Sequence, residues 1–100
     1  MLARLYHEQA RMYQELHQLS LAQAGFEKAL LIREGQRPPD AMALGETLHH
    51  LGQVYAAQNQ IAEARRTLER AVKILEAQLG TSNELVASAR RDYEKVSATP

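Results

Sequence analysis

The sequence predicts an all-α protein, an α-solenoid of antiparallel helix pairs in which two pairs are followed by one capping helix. Three observations carry this. Ala, Leu, Glu, Gln and Arg dominate, whereas β-branched residues are sparse and never alternate with polar ones, so strands are not expected. Turn signals divide the chain at Gly35 to Asp40 (with Pro38 and Pro39), at Asn59 and Gln60, and at Gly80 to Asn83, with a subtler break near His17 to Ser20. Finally, the sequence repeats itself. Shifted by 42 positions, Tyr6, Ala10, Tyr13, Leu19, Ala22, Phe26, Ala29 and Ile32 fall on Leu48, Gly52, Tyr55, Ile61, Ala64, Leu68, Ala71 and Ile74.

The elements follow in order. A first helix over 2–17 carries Tyr6, Ala10 and Tyr13 at helical spacing, and a second over 19–35 carries Ala22, Phe26 and Ala29 before the Gly and Pro residues stop it. A third over 40–58 and a fourth over 60–79 restate that pair. Small residues recur where two helices must approach closely, so Gly52 with Ala64, and Ala10 with Ala22, mark the contact within each pair. Gly80 supplies the left-handed residue that ends the fourth helix, and Thr81 with Glu84 forms a capping box for a fifth over 82–97. In that last helix Arg90, Glu94 and Ser97 stand where the second pair has Leu48, Gly52 and Tyr55, while Leu85, Val86, Ala89, Tyr93 and Val96 remain to pack backwards. This is the pattern of a solubilising cap that ends an array. One domain over 1–100 is expected, with repeats at 3–36 and 40–79 and the cap at 82–97.

Composition narrows the function. With 45% hydrophobic and 24% charged residues the chain is ordinary for a folded helical protein. Twelve basic residues balance twelve acidic ones, so nothing global draws it to nucleic acid or to an acidic membrane. The absence of cysteine excludes disulfides and thiolate chemistry and favours an intracellular, cytoplasmic setting. No apolar run approaches the length of about 20 residues that spans a bilayer.

At the repeated positions the sequence resembles the tetratricopeptide repeat family, whose pattern runs large apolar, Leu-Gly/Ala, Tyr, Ala, Phe/Leu, Ala. Leu48, Leu51-Gly52, Tyr55, Ala64, Leu68 and Ala71 match it, and Tyr6, Ala10, Tyr13, Ala22, Phe26 and Ala29 match it again, with Gln9 where Leu is usual. A period of 42 exceeds the family's usual repeat of about 34 residues and is similar to the variant found in kinesin light chains. The resemblance implies a protein-interaction module whose first helices line a concave groove, with ligand contacts at the second, fifth and ninth positions of each. Those positions hold Arg4, His7 and Arg11, then Glu46, His49 and Gln53, then Ser88, Arg91 and Lys95, a mildly basic strip suited to an acidic protein or peptide segment. The carboxylate-clamp subclass has Asn at the sixth position, where this chain has Glu8 and His50, which argues against chaperone carboxyl-terminal tails. The alternative to groove binding is self-assembly, as a homodimer, through the open first helix with its Leu2, Leu5, Met12 and Leu16.

No residue set points to catalysis. Ser20, Ser82, Ser88 and Ser97 lie at helix starts or on polar faces without a base and its orienting partner. Glu63, Arg66, Glu69, Arg70 and Lys73 interleave as a solvated helix face does. His49 and His50 are adjacent and diverge by about 100°, which prevents them from chelating one ion. His7 and His49 occupy equivalent positions on neighbouring first helices, with axes about 10 Å apart, but zinc needs further ligands at about 2 Å. No metal and no cofactor is expected. The groove histidines are read as solvated, with ordinary pKa values, so that acidification from pH 7.5 to 5.5 would strengthen an acidic ligand.

Overall fold

The structure is a computed structural model that describes residues 1–98. It contains five helices: α1 (Leu2–Glu15), α2 (Leu19–Gly35), α3 (Ala41–Ala57), α4 (Ile61–Leu79) and α5 (Glu84–Ser97). Each packs on its neighbours in the chain, while α1 and α3, like α3 and α5, barely touch through their backbones. That is the arrangement of an all-α helical solenoid.

The duplication extends to the turns. His17 (φ 59°) and Asn59 (φ 63°), which are 42 residues apart, both adopt the left-handed conformation just past a first helix. At the first, the His17 N–H donates to the Gln14 carbonyl (3.1 Å) and the Gln18 N–H to that of Tyr13 (2.9 Å). At the second, the Asn59 N–H donates to Ala56 (3.0 Å) and the Gln60 N–H to Tyr55 (2.8 Å). These bonds satisfy helix-end carbonyls in the Schellman pattern and fix where the second helix of each pair begins. The first helix therefore stops at Glu15, two residues short of the sequence expectation.

Gly80 ends α4 with φ 81° and ψ 175°, an extended mirror-image conformation reserved for glycine rather than the expected left-handed helical one. The predicted capping box is also corrected. Asn83, not Thr81, caps α5, its side-chain oxygen accepting from the Leu85 N–H at 2.8 Å, so the helix begins at Glu84. Asn ranks with the strongest capping residues and sits nearer the first turn. At α3 the cap is Asp40, whose carboxylate accepts from the Ala43 N–H at 3.1 Å.

Within the helix pairs the repeated positions form the core. Ala22, Phe26 and Ala29 are fully buried, as are Ala64, Leu68 and Ala71. A methyl group placed on Gly52 would fall 2.5 Å from Leu68 Cδ2, and one on Gly25 would fall 2.9 Å from Ala10 Cβ, so both pairs approach through small residues. Tyr55 is buried, whereas its counterpart Tyr13, and Tyr6 on the same helix, are half-buried. Ala64→Leu should overpack this contact and cost about 1–3 kcal/mol. An unchanged urea midpoint in that variant would reject the register.

Candidate binding groove

The first helices α1, α3 and α5 form one wall, and side-chain bonds join them where their backbones do not touch. His7 Nδ1 and Thr47 Oγ1 lie 3.0 Å apart in a buried hydrogen bond between α1 and α3. Lower down, Gln14 donates to Gln53 Oε1 at 3.0 Å, and His50 Nδ1 donates to Gln14 Oε1 at 3.3 Å. Between α3 and α5, Asp92 Oδ2 accepts from His49 Nε2 at 2.8 Å and from Gln53 Nε2 at 2.9 Å. The carboxylate therefore fixes the tautomer of His49, with its proton on Nε2.

The nine sequence-predicted contact residues divide on this wall. Arg4, Arg11, Arg91 and Lys95 are exposed, and Glu46, Gln53 and Ser88 are half-buried. His7 and His49 are buried, which corrects their reading as solvated histidines. Each faces a polar partner on the next first helix, so together with Gln53 they tie the wall together instead of standing out from it.

At one end the wall opens into a cavity of about 660 Å³ between α1, the end of α2 and the start of α3. Arg4, His7, Arg11 and Glu46 line it, as do Glu8, Arg33, Asp40 and His50. Glu8 pairs with Arg11 at 3.6 Å, and Asp40 is engaged as the α3 cap. Arg33 brings a guanidinium in from α2, and its buried Nε has no hydrogen-bond partner among the described residues.

Behind the cavity His7 meets Phe26 edge-on (ring centroids 5.2 Å apart), and His50 stacks on Phe26 (5.6 Å, 12° between planes). The two imidazoles are 5.3 Å apart. Burial pushes His7 down to about 4, helped by the Arg33 and Arg11 cations and only partly opposed by Glu8. Burial likewise pushes His50 down to about 4, with His7, His49 and Arg11 adding to the shift and Asp92 opposing it. Both rings are neutral at pH 7. The expectation that His7 titrates between pH 7.5 and 5.5 is therefore corrected.

Sequence reasoning passed over Gln14, Thr47, Asp92 and Arg33. For Arg33 a signal existed, since the 42-residue shift places it on Leu75, a fully buried core residue of the second pair. A cation at a core position marks a departure from pure packing. Thr47 and Asp92 carried no such mark.

A wall of first helices, with second helices packed against them, defines a helical-repeat solenoid. Among the described residues no helix is long and apolar enough to cross a membrane. The family profile described as tetratricopeptide repeat matches residues 1–77, and the chain belongs to that family. Its members are generally protein–protein interaction modules. Comparison with curated proteins gives no significant match.

Proposed function

We propose that the chain binds a segment of another protein along the first-helix wall, with the cavity beside Arg33 as the anchor for an acidic side chain, and that it carries out no chemistry of its own. The observation that carries this reading is the convergence on one cavity of four of the nine predicted contact residues with a buried, unsatisfied arginine nitrogen. A carboxylate would give that nitrogen the acceptor it lacks, and guanidinium–carboxylate pairs are favoured where they are sheltered from water. Arg4 and Arg11 flank the opening, while Arg91 and Lys95 extend the positive strip along α5. His7, His49 and Gln53 shape the surface and make few contacts of their own with the ligand.

The test is an array of acidic peptides read by fluorescence anisotropy, followed by the triple variant Arg4→Ala, Arg11→Ala, Arg91→Ala. These three side chains are exposed, so helicity should persist. Rim charges each contribute below about 1 kcal/mol, and together their loss should weaken binding about tenfold. Raising the salt concentration should do the same to the unmodified chain. Peptides that bind the triple variant as tightly as the parent would place the site elsewhere.

A further inference from the structure

The 42-residue shift compares the first helices by charge as well as by packing, and it places Arg4 of α1 on Glu46 of α3. Both residues line the cavity, so equivalent positions present a cation from one helix and an anion from the other. Neither forms an ion pair with the other or with any other described residue. Among the remaining charges of the cavity, Glu8 pairs with Arg11 and Asp40 caps α3, while Arg33 is in no ion pair among the described residues. The cavity is therefore polarised, with unmatched guanidinium groups brought by α1 and α2 and an unmatched carboxylate brought by α3.

A hydrogen-bond acceptor accompanies that carboxylate. His50 lies one turn after Glu46, on the same face of α3, and also lines the cavity. Its Nδ1–H donates to Gln14 Oε1 at 3.3 Å, so in the neutral ring Nε2 is an acceptor, and no described residue donates to it. Burial pushes the pKa of His50 down to about 4, so at pH 7 the ring adds no positive charge to offset Glu46. A purely acidic occupant would match Arg33 and Arg4 but set a second carboxylate against Glu46, a like-charge contact that selects against it. At about 660 Å³ the cavity is of the size that holds a small ligand, large enough to reach both sides.

We infer that the cavity is a site for a zwitterionic group: the segment that sets a carboxylate on Arg33 also carries an ammonium group, received by Glu46 and His50 Nε2. This rests on the groove reading and goes beyond it, because it makes Glu46 the residue that selects among acidic segments. The ammonium is either the amino terminus of the bound chain or a lysine side chain beside the acidic residue, and both offer the same chemistry. Segments with two adjacent carboxylates are turned away by the same placement of Glu46.

The probes are peptides of equal length built around one glutamate, with a fluorophore on a carboxyl-terminal cysteine amide, titrated against the full chain by fluorescence anisotropy. One set has an acetylated amino terminus and carries lysine, acetyl-lysine or a second glutamate beside the first. The other set begins with the glutamate, its amino terminus free or acetylated. Lysine over acetyl-lysine, or the free terminus over the acetylated one, should bind at least about tenfold tighter, and the pair that does so identifies the source of the ammonium. The peptide with two glutamates should bind weakest. Glu46→Gln, nearly the same in shape, should bring the favoured peptide and its neutral counterpart within about twofold of each other. Glu46→Asp should retain the preference, and circular dichroism should show unchanged helicity in both variants. Acidic peptides that bind with no preference for an ammonium, or a preference that survives Glu46→Gln, overturn the inference and leave the groove reading standing. Absence of binding by every peptide of both sets overturns the two together.

Discussion

Lowering the pH from 7 to 5 should destabilise the fold by about 2 kcal/mol for each of His7 and His50. Both groups have folded pKa values of about 4 against an ordinary 6.5. As the pH falls through 6.5 the unfolded chain takes up protons that the folded chain refuses, so stability drops with the pH. The loss continues until the folded state itself protonates near pH 4, below which it levels off. Above about pH 7.5 the two histidines contribute no slope. Their proximity matters, because with rings 5.3 Å apart a charge on one makes charging the other harder still. Against a total stability of about 5–15 kcal/mol for a small domain, the combined loss is large. Urea midpoints at pH 7.5, 6 and 5 measure it, and a midpoint that stays level across that range would mean that water reaches both rings.

Phe26→Ala should cost about 3–5 kcal/mol, the range for emptying a fully buried aromatic site. Phe26 is 0% exposed and supplies the surface against which both imidazoles rest. The vacated space would adjoin the cavity beside Arg33, so water should enter and the pKa of His50 should rise toward its ordinary value. Phe26→Leu, which installs the residue found at the equivalent Leu68, should cost much less because the second pair already closes around leucine. Chemical denaturation with histidine titration by NMR separates the two effects. A Phe26→Ala chain within 1 kcal/mol of the parent would contradict the core as described.

The five helices and their pairing were legible in the sequence because they depend on short-range spacing and on an internal comparison. Ala10 against Gly52 and Ala22 against Ala64 needed only the 42-residue shift. The surroundings of the histidines were not legible in that way. What makes His7 a buried residue is Thr47, 40 positions on, and what orients His49 is Asp92, 43 positions on. Neither partner belongs to the repeat pattern, so periodicity alone left both rings on the surface. Arg33 lies between these cases, since its departure from the leucine of the second pair was visible once the two were aligned. Cap choice shows a third kind of limit. Thr81 with Glu84 satisfied a known signature, yet Asn83 stood two residues closer to the first turn and capped it through the Leu85 amide.

The bonds that cross from α1 to α3 and from α3 to α5 bear on how a ligand is met. Helices joined only by apolar contact can slide past one another, but a hydrogen bond between buried or part-buried groups is broken by a shift of about an ångström. His7 with Thr47, Gln14 with Gln53, and Asp92 with His49 therefore hold the three helices in one register before anything binds. On the proposed groove reading, an incoming segment does not have to organise the wall, so the entropic penalty of association falls mainly on the segment itself. Selectivity then follows from shape, because a surface that cannot rearrange cannot accommodate a misfit.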